Sequence, residues 1–194
     1  FTDEFQYVEM ARSLPLGKGL YWDNLPTFFP CWLYPLLIAP FINLLSWDAA
    51  YPAIRGLNAM MMALAVAPAY GLARELTGHR RALWAAMLVG LLPGAGYSPM
   101  IMTESLFLPL FTLALWAIFR AVLVPTPWRR LAAGLICGLA FHAKPHAMLL
   151  PLITGAAVLI FEADRLRDGV PPGRTWVRCY LAGVGRHWLT ALGW

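Results

Sequence analysis

Residues 104–120, with the sequence ESLFLPLFTLALWAIFR, decide the fold class of this chain. The stretch begins with Glu104, ends with Arg120 and carries no charge between them. As a helix it would be about 25 Å long, which approaches the thickness of a bilayer's hydrocarbon core. We therefore interpret it as a membrane span, with a charged residue at each interface.

The composition extends this interpretation to the whole chain. Of its 194 residues, 60% are hydrophobic and 13% are charged, whereas a soluble domain is about 25% charged. This excludes a soluble enzyme, a disordered protein and a fibrous repeat, and it predicts an all-α polytopic membrane helical bundle. The predicted spans are roughly 52–73, 82–98, 104–120, 131–144 and 146–161. The last two are compatible with two tilted helices or with one long broken helix.

The N-terminal part is less regular. Residues 3–14 predict a short amphipathic helix on the membrane surface, because Val8, Ala11 and Leu14 recur on one side. Residues 28–45 are apolar enough to span, but three prolines interrupt them, so a kinked, half-inserted or re-entrant segment fits at least as well as a clean span. We expect the chain to be a piece of a longer protein that lacks at least one span at each end.

The positive charges predict the orientation. The formal net charge is +5, and the arginines fall in short loops, as the positive-inside rule requires. They are not interleaved with aromatic residues, so no nucleic acid partner is indicated. If 131–144 and 146–161 each cross, the basic loops are cytoplasmic, and Glu104 and Lys144 share the outer face. Asp3 and Glu4 join them only if 28–45 does not cross.

Glu104 and Lys144 are candidate functional residues because charges so placed are costly unless paired or hydrated. The structural alternatives are a carboxylate at a helix start for Glu104 and a snorkelling side chain for Lys144. Asp3 and Glu4 alone would be ordinary acids of a first helical turn. Together, however, carboxylates and a lysine at one face suit transfer to a hydroxyl from a phosphate leaving group.

Two histidines, His142 and His146, flank Lys144 in the sequence HAKPH. A metal site formed with Glu104 is one alternative, but Pro145 disturbs the helical spacing of the two rings. We place them instead at the substrate and phosphate site, and we expect neither a metal nor a cofactor. Helix-breaking prolines and sparse charges also fit a secondary transporter, and a non-catalytic lipid-binding membrane subunit is a third hypothesis.

Several short motifs follow one another along the chain, and their order is informative. They are DEFQYVEMARSL, FPCWLYPLL, the segment from AIRGLNAMMM to RRALWAAML, MTESL and GLICGLAFHAKPHAMLLPL. This order resembles the N-terminal half of integral-membrane C-type glycosyltransferases, in particular protein O-mannosyltransferases and the bacterial lipid A aminoarabinose transferases. The resemblance covers residues 1–162.

The resemblance implies both an architecture and an activity. It implies an outer loop with juxtamembrane helices at 1–51 and a transmembrane core at 52–162. Beyond the resemblance, the basic residues that follow predict a cytoplasmic loop at 163–178, and the apolar residues after them predict a further span beginning in 179–194. The resemblance implies transfer of a sugar from a polyprenyl-phosphate carrier to a lipid, glycan or protein acceptor, usually with inversion. The expected location is the bacterial inner membrane, with the active site facing outside.

The resemblance also implies residue roles. Asp3 corresponds to the catalytic acidic residue, which we expect to act as general base, and Glu4 and Glu104 correspond to the acids that position acceptor or sugar. Lys144 corresponds to the lysine near the outer end of the fifth span. The aminoarabinose transferases have a further lysine before the proline-aromatic segment. Here that stretch reads NLPTFFPCW, which places more of the phosphate binding on Lys144.

Overall fold

The computed structural model describes residues 2–17, 21–22, 25–26, 31–91, 96, 99–124 and 126–169. Eight α-helices occur in these ranges: α1 (Thr2–Ser13), α2 (Leu33–Leu44), α3 (Trp47–Leu64), α4 (Val66–Thr77), α5 (His79–Gly90), α6 (Glu104–Leu123), α7 (Pro127–Ala143) and α8 (Leu149–Gly169). Short 3-10 helices occupy Leu14–Leu16 and Pro145–Met148. A two-residue antiparallel pair joins β1 (Tyr21–Trp22) to β2 (Leu25–Pro26). The predicted all-α class is confirmed.

Within the described ranges, two helical stretches are long and apolar enough to cross a membrane. One is Trp47–Thr77, 31 residues in which α3 and α4 are separated by a turn at Ala65, and the other is α6, with 20 residues. They contain the predicted spans 52–73 and 104–120. The predicted span 82–98 begins within α5, and most of its residues after Leu91 lie outside the described ranges.

The proline-rich segment forms a short helix instead of a long one. Helix α2 has 12 residues, about 18 Å, which is too short to cross the hydrocarbon core. Helix α1 packs on α2, as Tyr7, Val8, Met10 and Ala11 share a core with residues of α2 and α3. The apolar face predicted for 3–14 is therefore buried against neighbouring helices, which gives the N-terminal segment a fixed position.

Helix α6 is central and gives the bundle two distinct ends. It packs against α3, α4, α7 and α8. At its C-terminal end, Arg120 forms an ion pair with Glu75 of α4, with 3.7 Å between Nε and Oε1. At its N-terminal end, Glu104 contacts Lys144, which follows α7. Since α6 is about 30 Å long, these two charged groups lie at opposite ends of the bundle.

Helices α7 and α8 are separate elements. Lys144 has an extended backbone and ends α7, and the 3-10 helix Pro145–Met148 precedes α8. Both helices contribute to one core with α6, built from small and branched residues such as Cys137, Ala140 and Leu150. This packing favours two helices over one long broken helix, the alternatives that the sequence left open.

Candidate active site

Three segments of the chain meet at the N-terminal end of α6. They are the first turns of α1, the turn at 99–103, and Lys144 between α7 and the following 3-10 helix. The first turns of α1 carry Glu4 and the third segment is Lys144 itself, both singled out by the sequence, and the turn at 99–103 leads directly into Glu104. The hydrogen bond between Glu4 and the Ile101 backbone alone joins residues that are 97 positions apart in the chain.

Glu104 and Lys144 form the centre of this arrangement. The Lys144 ammonium donates a hydrogen bond to Oε1 of Glu104, and Thr103 Oγ1 lies 3.4 Å from Oε2. The side chains of Glu104 and Lys144 are 28% and 23% exposed, so solvent screens the pair only in part. Glu104 also lies in the first turn of α6, where the helix dipole favours a carboxylate. Both predicted residues thus have a structural partner in each other.

Glu4 fixes α1 to the turn that precedes α6. Its Oε1 accepts a hydrogen bond of 2.7 Å from the backbone N–H of Ile101. One helical turn further, Tyr7 Oη lies 3.5 Å from Thr103 Oγ1. The backbone of Asp3 belongs to the first turn of α1, but its side chain lies outside the described part of the structure. Glu4 and Glu104 consequently share one end of the bundle, as the sequence predicted for a non-crossing 28–45 segment.

A buried polar network that the sequence analysis did not identify supports the same turn. Asn58 of α3 is fully buried; its Nδ2 donates to the Met100 carbonyl at 2.7 Å, and its Oδ1 accepts from Tyr34 Oη at 3.1 Å. The Tyr34 ring packs edge-on against Tyr7. Burial raises the pKa of Tyr34 above its ordinary value, so its hydroxyl remains a donor. The available signal was a lone asparagine within the apolar run LNAMMMALAV.

A cavity of about 290 Å³ opens beside Glu4. It is lined by Glu4, Phe5, Val8, Arg12, Trp47, Tyr51 and Ile101. The rings of Trp47 and Tyr51 lie 5.6 Å apart, and Tyr51 Oη donates to the Pro99 carbonyl at 3.3 Å. The cavity therefore offers a carboxylate, a guanidinium and aromatic surface next to the predicted catalytic segment.

The two histidines occupy different environments. The His142 ring lies 5.0 Å from the Trp32 ring between centroids, a contact that links α7 to the residue before α2, while His146 is exposed in the 3-10 helix. Within the described ranges, no three His, Cys, Asp or Glu side chains are grouped closely enough to hold a metal ion.

Cys31 precedes Trp32 in the chain and is buried. Burial raises the pKa of the Cys31 thiol to about 11, and the nearby Lys144 charge partly opposes that shift. The thiol is therefore protonated at neutral pH, and its pKa depends in part on the charge of Lys144.

The fold and the charged groups at one end of α6 fit the class of integral-membrane transferases. A family model for dolichyl-phosphate-mannose-protein mannosyltransferases matches residues 32–175, more than two thirds of the chain. The chain belongs to that family and is a membrane glycosyltransferase, which confirms the resemblance found in the sequence. The matched region includes Glu104, His142, Lys144 and His146 and begins after Asp3 and Glu4. No curated protein and no solved structure matches the chain.

Proposed function

We propose that this protein transfers a sugar from a polyprenyl-phosphate carrier to an acceptor outside the cytoplasm. The observation that carries the proposal is the Lys144–Glu104 pair, held at the same end of the bundle as Glu4. It is supported by membership of the mannosyltransferase family. A site that combines a cation for phosphate with carboxylates for a hydroxyl has the groups needed at both ends of the reacting bond.

Lys144 is the proposed phosphate ligand. Its ammonium carries three N–H donors, of which one contacts Glu104; among the described residues the others have no partner, and we propose that they bind phosphate oxygens. In the proposed reaction the bond between the anomeric carbon and the carrier phosphate breaks, and the phosphate leaves with the electron pair. Lys144 then stabilises a charge that grows during the reaction, which is the condition for lowering the barrier.

Asp3 is the proposed general base. The acceptor hydroxyl oxygen attacks the anomeric carbon from the side opposite the phosphate, which inverts that carbon, and the hydroxyl proton passes to the carboxylate. Glu4 and Glu104 are proposed to position acceptor or sugar, with His142 and His146 near the phosphate. The cavity beside Glu4, with its carboxylate, guanidinium and indole, has the mixture of polar and flat apolar surface that a sugar ring can contact.

The orientation and the division of the chain are part of the proposal. Arg120 and the α4–α5 turn lie at the end of the bundle opposite Glu104, and by the positive-inside rule that end is cytoplasmic. The candidate site would then face the outside of a bacterial inner membrane. Residues 1–51 would form the outer loop and 52–162 the membrane core, followed by a cytoplasmic loop at 163–178 and a further span from 179.

The test uses the full-length protein in detergent, a panel of radiolabelled polyprenyl-phosphate sugars, and a total membrane extract as acceptor. Label leaving the carrier is measured for wild type, Asp3→Asn and the control Asp48→Asn, which neutralises an exposed acid in the first turn of α3. We expect Asp3→Asn to reduce transfer by about 100-fold or more, with the control near wild type.

Two results would contradict the proposal. Near wild-type transfer by Asp3→Asn would remove the assigned base. Failure of folded wild-type protein to release label from any donor would argue against a carrier-dependent transferase, and solute counter-flow in proteoliposomes would then test the transporter hypothesis.

A further inference from the structure

A second cavity, of about 400 Å³, lies between α4 and α6, on the side of the bundle away from Glu104. It is lined by Ala67, Tyr70, Gly71, Arg74, Glu75, Trp116 and Arg120. The sequence analysis placed its arginines in basic loops and gave them no binding role. The proposed transfer reaction does not use this cavity either.

Both arginines of the cavity lie over aromatic rings of their own helices. The Arg74 guanidinium carbon lies 6.0 Å from the centre of the Tyr70 ring, and that of Arg120 lies 5.7 Å from the centre of the Trp116 ring. A cation–π contact of this kind leaves the N–H groups of the guanidinium available for hydrogen bonds in its plane. Two such groups beside one cavity can donate to the oxygens of one phosphate.

The charge balance at the cavity favours an anion. Among the described residues, Glu75 is the one acid that lines the cavity. The 3.7 Å between its Oε1 and Arg120 Nε exceeds the 2.7–2.9 Å of a charge-assisted hydrogen bond. The positive charge of the two guanidiniums therefore exceeds the negative charge of the one loosely paired carboxylate. Arg80 and Arg81, exposed in the first turn of α5, add positive potential at the same end of the bundle.

The lining also changes in polarity along the helices. Arg74, Glu75 and Arg120 lie in the last turns of α4 and α6, whereas Gly71 and Trp116 lie nearer the helix centres and Ala67 lies in the first turn of α4. At Gly71, an added Cβ would be 2.7 Å from the Trp116 ring, so the missing side chain lets the indole lie against α4. The charged side chains thus form a rim, and Ala67, Gly71 and Trp116 form an apolar floor. This arrangement matches a lipid phosphate at the rim with acyl chains against the floor.

We propose that this cavity binds an anionic glycerophospholipid, with its phosphate between Arg74 and Arg120 and its glycerol and first acyl carbons against Trp116. Free phosphate shares the same charged contacts but leaves the apolar floor unfilled. The site does not depend on the proposed transfer reaction, because it lies at the other end of α6.

Native mass spectrometry of the full chain in detergent, with equal amounts of phosphatidylglycerol and phosphatidylcholine, tests the proposal. Arg74→Gln/Arg120→Gln is compared with Arg80→Gln/Arg81→Gln, which removes the same charge at the same end of the bundle without touching the cavity lining. We expect wild type and the control to retain one phosphatidylglycerol in preference to phosphatidylcholine. The cavity variant should bind it at least tenfold more weakly.

A second variant keeps the charge and fills the floor. Ala67→Phe should also reduce phosphatidylglycerol retention, and it serves if the double arginine variant does not fold. Equal losses in the cavity and control variants would mean that general electrostatic attraction, not this site, holds the lipid. Displacement of the lipid by millimolar inorganic phosphate, or retention of phosphatidylcholine equal to phosphatidylglycerol, would also overturn the proposal.

Discussion

Lys144, which ends α7, donates a hydrogen bond to Glu104, the first residue of α6, although 40 positions separate them. Both side chains are about three quarters buried, and burying an unpaired charge to that extent costs free energy. The pair offsets part of that cost. It also joins the two helix ends that carry the proposed phosphate ligand and one of the proposed positioning acids.

The first prediction concerns the energy of this pair. A double-mutant cycle of Glu104→Gln and Lys144→Gln should give a coupling energy of about 1–2 kcal/mol in thermal unfolding in detergent. The same cycle on Glu75 and Arg120, whose side chains are 39% and 45% exposed, should give at most about 1 kcal/mol. A larger coupling at the exposed pair would contradict the partial shielding of Lys144 and Glu104.

The second prediction separates charge from geometry at Glu4. Glutamine keeps a side-chain oxygen that can accept the Ile101 N–H, whereas alanine removes it. We expect Glu4→Ala to lose about 1 kcal/mol of stability and to lower kcat/KM for transfer more than Glu4→Gln does. If Glu4→Gln is as inactive as Asp3→Asn, the carboxylate charge itself is required, and Glu4 becomes a candidate base.

Which parts of this site a sequence can reveal depends on the kind of signal. Glu104 and Lys144 are lone charges in apolar surroundings, so their cost in a membrane identifies them. Asn58 carries no charge and therefore gives no comparable signal. Its role arises only when α2, α3 and the 99–103 turn are packed together.

The helix boundaries show the same distinction. The long apolar run from Glu104 to Leu123 predicts its own helix, because length and hydropathy are local properties. Residues 28–45 left two alternatives, since an apolar segment with prolines has no decisive local pattern. The structure has a short α2 with α1 packed against it. That choice between the two alternatives depends on tertiary contacts, which cannot be compared from the sequence alone.

The third prediction tests Asn58 as a positioning residue. Asn58→Leu leaves the Met100 carbonyl and the Tyr34 hydroxyl without this partner and should cost about 1–3 kcal/mol of stability. Because the 99–103 turn leads directly to Glu104, kcat should fall more than the apparent donor affinity changes. Tyr34→Phe, which removes only the hydroxyl, should give a smaller effect of the same sign in both measurements. An unchanged kcat in a destabilised Asn58→Leu would indicate a purely structural role.

The last prediction uses Cys31 to sense the charge of Lys144. In a Cys137→Ala/Cys179→Ala background, only Cys31 remains to react with a maleimide. Burial raises its pKa from 9.0 to about 11, so below pH 9 the thiolate fraction falls about 100-fold. Alkylation of the folded protein should therefore be at least that much slower than in denaturant, and its rate should still rise with pH at pH 10.

Lys144→Gln removes a nearby cation that favours the thiolate, so it should raise the pKa of Cys31 further and slow its alkylation again. The control Arg129→Gln, distant at the start of α7, should leave the alkylation rate unchanged. Faster alkylation in folded Lys144→Gln would contradict this electrostatic link between Cys31 and the candidate site.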